Sequence, residues 1–449
     1  MSKNKGYLFH PAAVLLVIGI YFIVPGKLTA QDKTYAKYIV DTLASESMAG
    51  RGYVNEGNRK ASDFIASEMK RYGLESFSDS YFQPFNLPVN TFPGKVGLQI
   101  NGKVLKPGID FIISGSSPAI NGTYKIRELK SKFFESSEKL SKLKGRDYSD
   151  ILVLIDKSSI PKEQLPLADS LIRTNFIKSA GFIVLSGKDR LLFSVSSAYK
   201  QKSFPVFEVL KPAVPVKPTK AEVCIEAEFN PAYQVRNVIG FIHGTELSDS
   251  FLVITAHFDH LGMMGKDVVF PGANDNASGT AMMLDLAWHF SQPGNKPRYS
   301  IAFMAFSGEE TGLNGSEFYV GNPLFPLKKI SFLINLDMVG TGSEGITIVN
   351  GKTFLQQFER IAKINTDNEY ILKVAPRGES CNSDHCPFFR AGVPAVFIYS
   401  MGKEHREYHN IYDSADRVPF TEYDDIFRLL RDFLTSYRKD AVIHVGDNQ

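Results

Sequence analysis

The sequence predicts an α/β protein: a mixed, mostly parallel sheet with helices on both faces and a smaller inserted α+β unit. Three observations predict it. From Tyr233 onward, apolar runs of strand length alternate with helical patterns, as in sheets covered on both sides. The run Phe251–Thr255 is continuously apolar, which reads as a buried strand. At 449 residues the chain exceeds one comfortable core, so more than one domain is expected.

The elements follow in chain order. Lys3 and Lys5 precede an apolar run from Ala12 to Val24, then Pro25-Gly26 and the small pair Thr29-Ala30. That is the layout of a signal peptide over residues 1–30. The run falls short of the about 20 apolar residues a spanning helix needs. Export to the periplasm or the extracellular medium is expected, with no lasting membrane association.

Residues 31–90 form the amino-terminal part of the main domain. A helix is expected over Asp32–Ala44. A second follows, with Ala61, Phe64, Ile65, Met69 and Tyr72 on one face and Gly73 at its end. From about Phe82 the pattern turns to short β-like runs. Residues 91–230 read as the insert, with strands at Ile151–Ile155, Gly181–Leu185 and Phe204–Phe207 and a helix around Leu167–Ser179. Its lysine-rich stretch Lys130–Lys144 reads as a solvated helix face, and Lys211–Lys220 as a stiff Pro-rich connector.

Residues 231–440 form the remaining core, before a tail at 441–449. Strands are expected at Asn237–Ile242, Phe251–Thr255, Tyr299–Phe306, Ile330–Leu336, Ile346–Val349 and Val393–Tyr399. Helices are expected at Ser278–Phe290, Thr353–Ile364 and Thr421–Arg438.

Composition constrains function weakly. Hydrophobic content of 43% and charged content of 22% are those of an ordinary globular protein. A formal net charge of +3 gives no reason to expect a nucleic-acid partner. Three cysteines do not make a disulfide scaffold. Cys381 and Cys386 are close enough for a local bridge, and three separate thiols fit the spacing equally well.

Six side chains stand at or just past expected strand ends: His257, Asp275, Glu309, Glu310, Asp337 and His409. Imidazole with carboxylate suits zinc or another first-row divalent metal. Asp275, in the crowded GANDNASG loop, is the natural bridge between two cations. His257 and Glu310 would complete one metal, Asp337 and His409 the other. Such a pair can hold a bridging hydroxide and stabilise a tetrahedral intermediate. If extended backbone persists past Phe306, Glu309 and Glu310 point opposite ways. Glu309 is then free to act as general base. Asp259, two residues from His257, is placed to accept the other imidazole N–H.

The stretches AHFDHLG, PGANDNASGTAMMLDLA, FSGEETGLNGSEFY, INLDMVG, SDHCPF and YHNIYDSADR resemble, in order, the motifs of the secreted co-catalytic zinc aminopeptidases. The wider family includes glutamate carboxypeptidase and the glutaminyl cyclases. SESMAGRG and the helix after it also resemble the family's amino-terminal segment. The resemblance implies a zinc exopeptidase-like fold, a peptide substrate and two Zn2+ per chain. His257, Asp275 (bridging), Glu310, Asp337 and His409 would be the ligands, with Glu309 the base. It further implies a cis peptide between Asp275 and Asn276, and a role for His385 beside the metals or on the substrate. Tyr408 and Asn382 are candidates for the substrate carbonyl. The insert resembles a protease-associated domain, and the Cys381/Cys386 pair resembles a bridge seen near some members' sites.

The leading expectation is therefore an exported zinc aminopeptidase. A single-zinc glutaminyl cyclase-like acyltransferase is the alternative enzyme. A non-catalytic binding protein on the same fold would lack ligands, and none is missing here.

Overall fold

A computed structural model describes Met1 and residues 33–438. The signal-peptide reading of residues 1–30 and the tail at 441–449 fall outside the described residues. Among the described residues, no helix is long and apolar enough to cross a membrane.

Strand burial follows sequence texture. Tyr299–Phe306 and Ile330–Leu336 are apolar along most of their length and buried at every position. Strands with that texture belong in the middle of a covered sheet. They flank Leu247–His257 in an eight-stranded sheet. Its order is Phe82–Thr91, Glu228–Ile242, Tyr299–Phe306, Leu247–His257, Ile330–Leu336, Ala395–Met401, Gly345–Val349 and Val374–Pro376. The central four strands run parallel, and antiparallel pairings lie toward both edges. The mixed sheet matches the sequence expectation.

Helices cover both faces. Lys33–Leu43, Gly57–Arg71, Gly279–Ser291 and Tyr423–Ser436 contribute to one apolar cluster. Residues from Asn314–Gly321 and His385–Arg390 join a second cluster on the other side. Gly279–Ser291 is buried nearly all round. Tyr423–Ser436 instead shows the apolar stripe of a surface helix.

A second eight-stranded sheet is built wholly from residues 96–225. Its apolar side shares one cluster with Leu87, Val89, Val235, Leu261, Met264 and Phe270 of the main sheet region, so the two sheets pack through common core. The stretch Lys130–Lys144 forms two short helical turns, and Lys130, Lys139 and Lys142 pair with glutamates at the surface.

Four details differ from expectation. The region after Phe82 is one ten-residue strand, Phe82–Thr91. Its Pro84 and Pro88 are tolerated because it is an edge strand, with a register shift at Pro88. The strand expected at Asn237 already starts at Glu228, because its first half pairs with that edge. The helix expected to reach Ser179 stops at Thr174: Asn175 turns left-handed (φ 44°) and its side chain bonds the Ser179 backbone instead. The expected connector Lys211–Lys220 opens with a helical turn at Lys211–Ala213, and Lys220 begins a strand.

Candidate active site

The chain passes from Leu247–His257 through the helix Gly279–Ser291 to the strand on one side, then crosses to the strand on the other. The carboxyl end of Leu247–His257 is thus a switch point, where open α/β sheets place their ligands. His257 is the last residue of that strand.

His257 Nε2 lies 3.5 Å from Asp275 Oδ1 and 3.5 Å from Asp337 Oδ1. His409 Nε2 lies 3.1 Å from Asp275 Oδ2 and 3.2 Å from Glu310 Oε2. Asp275 faces both histidines with one oxygen each. The partners of the histidines are exchanged relative to expectation: Asp337, not Glu310, stands beside His257, and Glu310, not Asp337, beside His409. Register explains the exchange. Thr255 pairs with Asn335 in parallel, so His257 and Asp337 leave adjacent strands side by side. Glu310 is carried past the end of its strand at Phe306 by a turn through Gly308, whose φ is +77°. The two glutamates do diverge, but through this turn rather than through strand alternation.

The loop carrying Asp275 is laced to its surroundings. Asp413 accepts from the backbone N–H groups of Asn274 and Asp275 at 2.9 and 3.0 Å. The Asn276 side chain donates to Leu336 O and accepts from Met338 N. The Asp275–Asn276 peptide is cis, as the resemblance implied. A hydrogen-bonded chain from Thr255 through Asn335 and Ser383 ends on Asp337 Oδ2 at 2.9 Å.

Asp259 differs from its expected role. His257 Nδ1 lies 3.2 Å from the Asp259 backbone carbonyl, while the carboxylate stands 3.8 Å away. That carboxylate accepts from the Glu309 and Glu310 backbone N–H groups instead. It therefore holds the turn that presents both glutamates.

Charge crowding sets the electrostatics. Burial raises the Glu309 pKa well above the ordinary range; His257 opposes this, while Glu310, Asp384 and Asp337 add to it. Burial resists charge on His257, yet Glu309 and Asp337 lift its pKa well above normal. Burial likewise resists charge on His409, but Glu310 and Asp275 lift it to about 11. Against burial, His257 and His409 hold Asp275 well below the usual carboxylate range. Burial also raises Asp259 to about 6.

These residues suit a cation. They are enclosed nitrogen and oxygen donors without thiolate, a set appropriate to zinc. Asp337 Oδ1 and His260 Nε2 are buried with no hydrogen-bond partner, as donors awaiting a ligand would be. Ligand atoms of His257, Glu309 and Asp337 lie within 4.8 Å of one another, as do those of His260, Asp275 and Glu310. A cavity of about 240 Å³ opens above, with His257, Asp275, Glu309, Asp337 and His409 in its lining. Met338, Phe397, Tyr399, Tyr408, Asn382 and Arg377 complete its walls. Tyr408 stacks on the His409 ring, with centroids 3.8 Å apart. His385 does not line the cavity: it is fully buried, with Nε2 2.8 Å from Ser380 O, and burial lowers its pKa to about 4. Cys381 and Cys386 are bridged beside Asn382.

Residues 237–434 match the family model of Peptidase family M28. The matched segment carries all five expected ligands and Glu309. Aminopeptidase YwaD of Bacillus subtilis (strain 168) is 26% identical over 404 residues, covering 85% of this chain and 80% of that one. The crystal structure of BSAP, a zinc aminopeptidase from Bacillus subtilis, superposes with a TM-score of 0.67 at 22% identity, covering 89% and 94%. An aminopeptidase from Aneurinibacillus sp. strain AM-1 gives 0.62 at 21% identity, covering 90% and 93%.

Three further residues at the site carry no expectation from the sequence. His260 lies 2.8 Å from Glu310 Oε1, and its place in AHFDHLG was the available signal. Asp413, in YHNIYDSADR, holds the Asp275 loop. Arg51, in SESMAGRG, precedes the matched M28 segment. Its buried guanidinium donates to the carbonyls of Phe258, Leu43, Pro271 and Gly272 at 2.6–3.0 Å and of Asp275 at 3.3 Å. Burial lowers its pKa to about 10, and Asp275 and Asp413 help retain the charge.

Proposed function

We propose that this protein is an exported aminopeptidase that uses two zinc ions to hydrolyse the N-terminal peptide bond. The observation that carries the reading is Asp275 between two histidine–carboxylate groups, with Glu309 beside them in the wall of the same cavity. His257, Asp275 and Asp337 would hold one zinc, and Asp275, Glu310 and His409 the other. The chemistry supplied by bound zinc is polarisation of a carbonyl and a lowered pKa for water.

Glu309 acts as general base. It takes a proton from the attacking water and returns it to the leaving amine. Asp259 positions Glu309 through the backbone. The pKa of Tyr408 is raised, by burial and by the nearby carboxylates, so its phenol stays protonated. Tyr408 and Asn382, both on the cavity wall, are the donors for the substrate carbonyl. His385 supports the Ser380–Cys386 loop from behind. The division into residues 31–90, 91–230 and 231–440, with a protease-associated-like insert, is part of the same reading.

A single-zinc cyclase would leave one histidine–carboxylate group without a task. The deciding experiment measures zinc per chain and leucine-nitroanilide hydrolysis before and after chelation. Two equivalents, with activity lost on chelation and restored by zinc, are expected. In Glu309→Gln, turnover should fall at least about 100-fold with zinc content retained. Unchanged turnover there would remove Glu309 from its role, and one equivalent without hydrolysis would favour the cyclase.

A further inference from the structure

We infer that the segment Arg190–Phe193 of the smaller sheet's region positions His409, so that the affinity of one zinc position is set from outside the peptidase sheet. The inference rests on the two-zinc reading above.

His409 belongs to no helix or strand, and its φ of +50° is left-handed. A histidine does not favour that conformation by itself, so its surroundings must hold it. The base of the loop is held by the peptidase: His405 Nε2 lies 2.9 Å from Asp413 Oδ1, and Ala273 N donates to Asp413 O. The tip is held by the insert. Phe193 N donates to the His409 carbonyl at 2.9 Å. Arg190 Nη1 donates to Glu407 Oε2 at 2.5 Å, and the same oxygen accepts from Asn410 Nδ2 at 3.0 Å. The insert thus holds Glu407 and His409 directly, and Asn410 through Glu407.

The grip has a firm base. Phe193 is 1% exposed and stacks on Phe270 with ring centroids 4.7 Å apart, inside the apolar cluster common to both sheets. The Arg190 side chain is 46% exposed, so its ion pair is the weaker contact. The directional bond from Phe193 N is the stronger, and it falls on the residue whose imidazole faces Asp275 and Glu310. A plain packing interface would not single out that carbonyl.

The test uses the full-length protein and chelator competition for zinc. Phe193→Pro removes the N–H, and Arg190→Ala removes the ion pair. Phe193→Leu keeps the N–H and serves as control. Wild type should bind two zinc ions. Phe193→Pro should weaken one of them by about tenfold or more and leave the other unchanged. Arg190→Ala should weaken the same one by about two- to fivefold. Phe193→Leu should retain both. In a His409→Ala background, which lacks that position, Arg190→Ala should have no further effect on the remaining zinc. Equal weakening of both zinc ions, or no shift in Arg190→Ala and Phe193→Pro, overturns the inference while the two-zinc reading stands. If Phe193→Pro does not fold, Arg190→Ala alone decides. Fewer than two zinc ions in wild type would instead overturn the reading beneath it.

Discussion

Arg51 is the side chain the Asp275 loop can least spare. Its guanidinium satisfies carbonyls from three separate stretches, and an aliphatic replacement leaves them buried and unpaired. Arg51→Met should destabilise the fold by about 3–5 kcal/mol in chemical denaturation. Arg51→Lys should recover only part of this, because an ammonium lacks the fork. A loss below about 1 kcal/mol would contradict the role. The histidines make a second prediction at this scale. Against burial, Glu310 and Asp275 lift the His409 pKa to about 11 in the zinc-free cluster, so it carries a proton at pH 7, and Glu309 and Asp337 shift His257 in the same direction. Zinc must displace that proton. Calorimetric titration of zinc into the stripped protein, repeated in buffers of different ionisation enthalpy, should show net proton release at pH 7. Proton uptake, or none, would place the histidines elsewhere. The five expected ligands stand out in sequence because each sits in a short motif of its own, and the structure gathers them around one cluster. Arg51 does not stand out, because its meaning depends on carbonyls more than 200 residues away.

At the scale of elements, long apolar runs were readable and short irregular pieces were not. Tyr299–Phe306 and Ile330–Leu336 fall where their texture puts them, since burial on both faces leaves no polar alternation to confuse. The helices Asn314–Gly321 and His385–Arg390 went unseen: each is at most about two turns long and is held by tertiary contact rather than by its own pattern. The pairing of histidines with carboxylates failed for a related reason, because it depends on strand order. Loops at the site are tied to one another in ways sequence does not display. Glu404 accepts from Gly342 N, Ser343 N and the Ser343 hydroxyl, joining the segment before His409 to the one after Asp337. Burial acts against the charge, yet these bonds lower the Glu404 pKa to about 2. Folding therefore favours its ionised form. The contribution is full above about pH 5 and fades as pH falls toward 2. Since Glu404 is exposed, Glu404→Gln should cost only about 1 kcal/mol at pH 7. Melting curves of variant and wild type should converge toward pH 2, and a constant gap across that range would refute the assignment.

For the whole molecule, the M28 match begins at residue 237, but the folded unit does not. Helices Lys33–Leu43 and Gly57–Arg71 bury Ala36, Ile39, Val40, Ile65 and Met69 in the same cluster as the central strands. Phe82–Thr91 pairs along the edge formed by Glu228–Ile242. A fragment limited to residues 228–438 would expose that cluster and an unpaired strand edge. It should be recovered as aggregate, or as a dye-binding species without cooperative melting, whereas residues 33–438 should melt cooperatively. A soluble, cooperatively melting short fragment would show that the amino-terminal segment is dispensable.

The pairing of Phe82–Thr91 with Glu228–Ile242 also orders events during synthesis. Thr91 meets Glu228 across the sheet, so the earlier strand emerges from the ribosome long before its partner. All strands of the smaller sheet lie within residues 96–225 and can pair in the interval, while the core they share with Leu261, Met264 and Phe270 closes later. The nascent chain thus carries a paired sheet with one apolar side still open, and the later half of the chain assembles against that side.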